Sequence, residues 1–245
     1  MGNEGTGDGY TLFLSTGHLI WHVVCPLFQP QAVQIFQCQR ITFAAAHSLI
    51  KERKRHILHC ILEGNEIEGL EDKIIADGAC DLYGENADKI GVQIVPFYVA
   101  FEENVYKKEG AEIEVRHFYK EMVENPTVFP KTSMPSVQDY VDVFTPIVKA
   151  GEGVLCICIT TKFSGSYNSA VNARNMLLED YPDAKIEVID STLNTVEEGI
   201  FVREAARMKA AGLSLEESVQ ALERIKSTGR IIFTVGSLDY LIHGG

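Results

Sequence analysis

The sequence lacks most of the short motifs that mark catalytic and metal-binding proteins. No CxxC or HExxH pair occurs among its six cysteines and seven histidines, whereas structural zinc sites need closely paired ligands. Neither a GxGxxG nor a Walker-type glycine loop is present, so a nucleotide-phosphate site is disfavoured. We therefore expect no metal and no cofactor, and the cysteine pattern fits a protein of the reducing cytoplasm.

Positive charge is also scarce. The 245 residues carry 22 Lys and Arg against 34 Asp and Glu, which gives a formal net charge of −12. Nucleic-acid binding needs a basic surface, and none is visible, so nucleic acid is not expected as a partner. Hydrophobic residues make up 46% of the chain, which excludes a disordered protein and leaves room for one large or two modest domains.

The first 72 residues differ from the rest of the chain. No charged residue occurs between Gly9 and Gln39. A membrane-spanning helix needs about 18 or more consecutive apolar residues, and the nearest run, Leu12–Phe28, contains two histidines and a proline. The chain opens on two acidic residues rather than the positive charge of a secretory signal. We predict an atypical, poorly defined extension over 1–72, and a second unit over 73–245.

From Lys73 onward, short apolar runs predict β-strands. The run GVLCICIT at Gly153–Thr160 is typical of a strand buried on both faces. Cys156 and Cys158 are interpreted as buried apolar residues that point to opposite faces of this strand, rather than as a redox pair. The other predicted strands are Lys73–Ala76, Val92–Phe101, Lys185–Asp190 and Arg230–Val235.

Amphipathic helices are predicted between these strands. They begin near Val137, Tyr167, Val196 and Leu215, and two of them open on a capping-box pattern, Ser136 with Asp139 and Ser214 with Glu217. This alternation predicts an α/β fold with a mostly parallel sheet and helices on both faces. A ligand is then expected at the edge where the carboxyl ends of the strands lie.

Two hydroxyl-rich segments stand directly before predicted helices. Thr160–Tyr167 follows the buried strand and offers hydroxyls, Gly165 and the free backbone N–H groups of a helix start. Thr132–Ser136 precedes the helix at Val137. The two helix N-termini are predicted to converge on one small anion. Hydroxyl residues also favour ordinary caps and turns, which is the alternative interpretation.

Six segments in this order resemble the DegV family of fatty-acid-binding proteins. The resemblance covers 73–245, and residues 1–72 have no recognised counterpart. Gly78, Met134 and the pair Thr160–Thr161 depart from the family's usual serine, glutamine and serine pair. The segments are Asp77–Leu82 (DGACDL), Val92–Phe97 (VQIVPF), Thr132–Ser136 (TSMPS), Thr160–Ala170 (TTKFSGSYNSA), Val188–Ser191 (VIDS) and Leu238–Gly245 (LDYLIHGG).

The resemblance implies that the protein binds a long-chain fatty acid and is not itself an enzyme. In this family a threonine and a serine hold the carboxylate, which correspond to Thr132 and Ser164. The same edge of the site would be lined by Ser133, Thr161, Gly165 and Ser166. The implied partner is an acyl kinase that phosphorylates the presented carboxylate, and transient contact with a membrane surface is compatible with this role.

The resemblance also implies a second domain, which follows the Gly-Gly pair in the family. Because the sequence stops at Gly245, we expect that domain to be missing. Much of the lipid tunnel is lined by it in the family, so we expect the chain as given to bind fatty acid poorly.

Two other functions stay open from the residues alone. A serine hydrolase would use Ser164 or Ser166 with Asp190 and His243, although the GxSxG elbow is absent because the loop reads KFSGSY. A generic small-anion-binding α/β module, for a sugar or a nucleotide, would rest on the fold alone.

Overall fold

The computed structural model describes residues 72–102 and 105–232, together with Leu238 and Ile242. The predicted extension, His243 and the terminal Gly-Gly lie outside these residues. Of the predicted strand Arg230–Val235, the structure describes 230–232, which are not in a strand.

The central feature is a four-stranded parallel sheet. Its strands are Lys73–Asp77 (β1), Val92–Val95 (β2), Val154–Cys158 (β6) and Ile186–Asp190 (β7). Their order across the sheet is β2-β1-β6-β7. All five residues of β6 are buried, as its continuous apolar run predicts. The predicted α/β class and the mostly parallel sheet are therefore confirmed.

Helices cover both faces of the sheet, and all four predicted helices are present close to their predicted starts. The two shorter helices are α1 (Glu85–Asp88) and α2 (Val115–Glu124), neither of which was predicted. The four predicted helices are α3 (Val137–Lys149), α4 (Ser166–Asp180), α5 (Thr195–Ala210) and α6 (Leu215–Ile225). Both predicted capping boxes are present, at the starts of α3 and α6.

Alternation along the strands divides the core into two layers. Ile74 and Leu155 pack on one face with residues of α5 and α6, while Ile75 and Val154 pack on the other with residues of α3 and α4. Each fully buried side chain of this size contributes about 1.5–3 kcal/mol. The prediction that Cys156 and Cys158 point to opposite faces was wrong: their Sγ atoms lie 3.7 Å apart in the same layer, because residues two apart in a strand share a face.

The predicted strand Val92–Phe101 is divided between two sheets. It breaks at Pro96 and Phe97, so that Val92–Val95 stays in the parallel sheet and Tyr98–Ala100 (β3) enters a separate antiparallel sheet. Pro96 accounts for the break, since proline has no N–H to give to a strand ladder. The antiparallel sheet has the order β4-β3-β5, with β4 at Lys107–Lys108 and β5 at Lys131–Ser133.

Helix α5 lies very close to the turn that follows β1. That turn is a short 3-10 helix, Gly78–Cys80. A Cβ atom added at Gly199 would overlap the backbone carbonyl oxygen of Cys80. Glycine at 199 therefore permits an approach of helix to backbone that no larger residue allows.

Candidate functional site

The carboxyl ends of three parallel strands bring polar residues to one edge of the sheet. Asp77 ends β1, Thr160 follows β6 by two residues, and Asp190 ends β7. The backbone N–H of Thr160 donates to the carbonyl of Leu193, which ties the loop after β6 to the loop after β7. The candidate site is therefore at the strand ends, where ligands bind in open α/β sheets.

A buried carboxylate lies beneath the loop that follows β6. Asp77 is fully buried, and its Oδ2 atom accepts hydrogen bonds from Ser166 Oγ at 2.6 Å and the Ile159 N–H at 3.0 Å. Its Oδ1 atom accepts from the Ala79 N–H at 3.2 Å. Burial raises the pKa of the Asp77 carboxyl, while these three hydrogen bonds oppose that rise.

A second acidic group, Glu198 on α5, is buried next to Asp77. It is fully buried, no N–H or hydroxyl group donates to its carboxyl oxygens, and its own hydrogen-bond contact is with the carboxyl group of Asp77. Burial, and then the negative charge of Asp77, raise the pKa of Glu198 well above its ordinary value. Because donors point at Asp77 and none at Glu198, Glu198 carries the proton of the pair and Asp77 the charge.

Ser164 and Ser166 lie at different depths in the loop. Ser164 is half-buried, and its Oγ atom accepts the backbone N–H of Ser166 at 3.2 Å. Ser166 is fully buried and bonds to Tyr140 Oη at 2.6 Å as well as to Asp77. Of the two serines, only Ser164 lies at the surface of the loop, while Ser166 supports it from beneath.

The two helix N-termini of the site differ in what they hold. The start of α3 is occupied by its own Asp139, whose Oδ2 atom accepts from the Ser136 N–H at 2.8 Å and Ser136 Oγ at 2.6 Å. The start of α4 has Gly165 at the N-cap, which has no side chain to cap the helix, and the first N–H of the helix, that of Ser166, donates to the neutral Ser164 Oγ. Of the two predicted anion-binding N-termini, that of α4 is the one left open to an external group.

Asp139 also connects α3 to the antiparallel sheet. Lys108 Nζ lies 2.7 Å from its Oδ1 atom and Tyr98 Oη 2.9 Å from it. Burial raises the pKa of Asp139, but the hydrogen bonds donated by Lys108, Ser136 and Tyr98 lower it to about 2 overall. This network fixes the segment that carries Thr132 to the start of α3.

We expect Asp139→Asn to lower the free energy of unfolding by about 2 kcal/mol at pH 7, the energy of the pKa depression. A lowered carboxyl pKa stabilises the fold above the ordinary value of 3.8, and this stabilisation is lost as the pH falls through 3.8 towards 2. Urea unfolding at pH 7, 4 and 2.5 should show the gap between variant and wild type closing. Asp142→Asn is the control, since Asp142 is exposed on the same helix; an equal effect of both variants would contradict the assignment.

The two hydroxyl-rich segments contact one another. A Cβ atom added at Gly165 would lie 2.7 Å from Sδ of Met134, so the methionine of the first segment covers the glycine of the second. Thr132 and Ser133 are exposed on β5, where they pair with Val99 and Tyr98. Met134 thus brings the strand that carries Thr132 to the loop that carries Ser164.

Thr161 is committed to a neighbouring carboxylate. Its hydroxyl donates to Asp190 Oδ2 at 2.7 Å, and Asp190 Oδ1 accepts the Thr192 N–H at 2.8 Å. Asp190 therefore serves Thr161 rather than Ser164, which removes it from the arrangement that the hydrolase alternative requires. The remaining partner in that alternative, His243, lies outside the described residues.

Sequence reasoning missed the groups beneath the loop. Asp77 was recognised only as part of a motif, although a carboxylate at the end of an apolar strand is a usable signal. In the sequence, Tyr140 is indistinguishable from an ordinary core residue of the amphipathic helix α3. Glu198 gives no local signal, because acidic residues are common in the first turn of any helix.

The described ranges contain neither a metal-binding cluster nor a membrane-spanning helix. Within 72–102 and 105–232, no three His, Cys, Asp or Glu side chains are grouped so as to hold a metal ion. In the same part of the chain, no helix has the length and apolarity needed to cross a bilayer.

Comparison with known proteins gives consistent matches. A family model described as an uncharacterised protein of the DegV family matches residues 72–245. A DegV domain-containing protein of Clostridium acetobutylicum is 36% identical over 173 residues, which are 71% of this chain and 59% of that protein. One from Caldanaerobacter subterraneus is 36% identical over 172 residues and is also covered to 59%. The chain thus spans about three-fifths of the length of these curated relatives.

Solved structures share this fold. A stearic acid-binding protein from Eubacterium ventriosum is 49% identical, with a TM-score of 0.68 over 71% of this chain and 59% of that one. The fatty acid kinase (Fak) B3 protein of Streptococcus pneumoniae, loaded with linoleic acid, is 31% identical, with a TM-score of 0.54 over 63% of this chain and 54% of that one. These similarities confirm the predicted family and fold class.

Proposed function

The chain belongs to the DegV family, and from that premise we propose that it binds the carboxylate of a long-chain fatty acid at the sheet edge described above. Ser164 is the central group, because its hydroxyl is half-buried at the open N-terminus of α4. Thr132 is the second group, carried towards it by the Met134–Gly165 contact. Ser133 and Gly165 line the same edge, Thr161 supports it through Asp190, and Ser166 supports it from beneath.

The observation that carries the proposal is the difference between the two helix starts. The N-terminus of α3 holds its own carboxylate, Asp139, whereas the N-terminus of α4 has no side-chain cap and stands beside Ser164. An uncapped helix start with a nearby hydroxyl donor suits a single carboxylate. The stearic acid-binding and linoleic acid-loaded relatives support a fatty acid as the source of that carboxylate.

The apolar tail should contribute more affinity than the head group. Each hydrogen bond to a charged acceptor is worth about 1.5–3 kcal/mol, while each buried methylene contributes about 0.8 kcal/mol. Ten methylenes therefore contribute about 8 kcal/mol. The hydroxyl groups fix the direction and register of the lipid, and the tail supplies most of the binding free energy.

A non-enzymatic role follows within the same proposal. The chain would hold the lipid and present its carboxylate to an acyl kinase, which would attach the phosphate. The pneumococcal relative, a fatty acid kinase B3 protein, supports this partner class. Neutral hydroxyl donors suit presentation, because they hold a carboxylate without a buried cation that would compete with the kinase.

We expect Ser164→Ala and Thr132→Ala each to weaken fatty-acid binding about 10-fold or more, the loss of one hydrogen bond to a charged group. Titration with a fluorescent long-chain fatty acid measures this. Ser227→Ala, on an exposed turn after α6, is the control. Wild-type affinity in the Ser164 and Thr132 variants would contradict the site.

A further inference from the structure

A continuous series of hydrogen bonds runs beneath the candidate loop from the sheet to the surface. Cys158 Sγ lies 3.7 Å from Tyr140 Oη, and Tyr140 Oη lies 2.6 Å from Ser166 Oγ. Ser166 Oγ donates to Asp77 Oδ2 at 2.6 Å. These four side chains are buried, so water does not compete for the bonds between them.

The charge on Asp77 gives this series a single direction. Both Asp77 oxygens accept backbone N–H groups, from Ile159 and Ala79, so the carboxylate acts only as an acceptor. Ser166 therefore donates its one hydroxyl proton to Asp77, and Tyr140 must donate its own proton to Ser166. Burial raises the pKa of the Tyr140 phenol well above its ordinary value, which agrees with a neutral donor.

The series ends at Ser164. With its side chain held by Asp77 and Tyr140, Ser166 has a fixed backbone, and its N–H donates to Ser164 Oγ at 3.2 Å. That bond occupies a lone pair of Ser164 and leaves the hydroxyl proton free to be donated. We propose that Ser166, anchored by Asp77, is a positioning residue that makes the Ser164 hydroxyl a donor towards the carboxylate of the ligand.

This inference rests on the proposed function and adds to it a preference for the ionised acid over its ester. A hydroxyl held as a donor distinguishes an ionised carboxylate from its methyl ester, which has no charge to accept a strong hydrogen bond. Loss of the anchor should therefore weaken binding of the acid while leaving binding of the ester unchanged. A change that only loosens the fold should weaken both.

The test compares Ser166→Ala with the wild-type chain, using oleate and methyl oleate as the two probes. We expect the ratio of oleate affinity to ester affinity to fall about 5- to 10-fold in Ser166→Ala, and to fall similarly in Asp77→Asn. Ser169→Ala is the matched control, since Ser169 is a buried serine of the same helix outside the series. An unchanged ratio in Ser166→Ala, or an equal fall in Ser169→Ala, would overturn the proposal.

A second measurement needs no lipid and separates the two proposals. Amide hydrogen exchange of Ser166, followed by NMR in the unliganded chain, should be at least 10-fold faster in Asp77→Asn than in the wild type. Exchange in the core strand β6 should stay unchanged, which shows that the variant is folded. Unchanged Ser166 exchange would overturn the positioning role. Faster exchange in a chain that prefers neither acid nor ester would preserve the positioning role and reject fatty-acid binding.

Discussion

Gly199→Ala is expected to destabilise the fold by about 3 kcal/mol, within the range for overpacked buried sites. An added methyl group at 199 would overlap the carbonyl oxygen of Cys80, and a backbone carbonyl cannot move aside as a side chain can. The sign of this change in the free energy of unfolding is informative, because alanine in a helix interior is ordinarily about 1 kcal/mol more favourable than glycine. Urea unfolding at neutral pH measures the difference.

Gly229→Ala is the matched control for this substitution. A methyl group at 229 would also meet atoms at close range, but they are the ends of the Leu193 and Glu197 side chains. Flexible side chains can rotate away, so we expect a change of less than about 1 kcal/mol. A stabilised Gly199→Ala variant, or equal effects at the two positions, would show that α5 does not approach Cys80 closely.

Glu198→Gln is expected to raise the free energy of unfolding by about 1–3 kcal/mol at pH 8, because the wild type must keep a carboxyl group protonated far above its ordinary pKa. The protonated Glu198 donates to Asp77, and a glutamine of the same shape can donate an amide hydrogen in its place. Glutamine also removes the titration of a carboxyl group beside a buried negative charge. Thermal and urea unfolding across pH 5–8 measure both effects.

The raised pKa of Glu198 makes the stability of the wild type depend on pH. Above the ordinary value of 4.5, the unfolded chain releases the Glu198 proton while the folded chain keeps it. Wild-type stability should therefore fall with rising pH by up to about 1.4 kcal/mol per unit until the folded pKa is reached. Glu198→Gln should lack this slope. If the variant keeps the slope, another group is responsible for it.

Glu204→Gln provides the contrast on the same helix. Glu204 is buried like Glu198, but Arg207 binds both of its carboxyl oxygens. Neutralising the carboxylate that Arg207 pairs should lower stability, whereas replacing the protonated Glu198 should raise it. Equal destabilisation by the two substitutions would show that Glu198 is ionised and paired in the folded protein.

The strongest parts of the fold could be predicted from the sequence because they are repetitive. The five buried residues of β6 form an uninterrupted apolar run, and the capping boxes at Ser136 and Ser214 mark two helix starts directly. The antiparallel sheet was missed because Lys107–Lys108 and Lys131–Ser133 are too short and too polar to show a period of two.

The candidate site could be predicted only at its surface. Ser164 lies in a loop and Thr132 in the short strand β5, and the hydroxyl-rich composition of both segments indicates a turn or an anion site. The depth of Ser166 and the pairing of Asp77 with Glu198 depend on contacts between residues that are far apart in the chain. No local pattern carries such information, because burial is decided by the packing of α5 against β1.

Pro96 has a consequence for the energetics of ligand recognition. Proline fixes its own φ and restricts the residue before it, so the connection between β2 and β3 has little conformational freedom. Strand β5, which carries Thr132, is hydrogen-bonded to β3. The entropy of ordering this strand is therefore lost once, when the chain folds. A ligand that arrives later meets a preorganised donor, and its measured affinity reports its contacts more than any rearrangement of the protein.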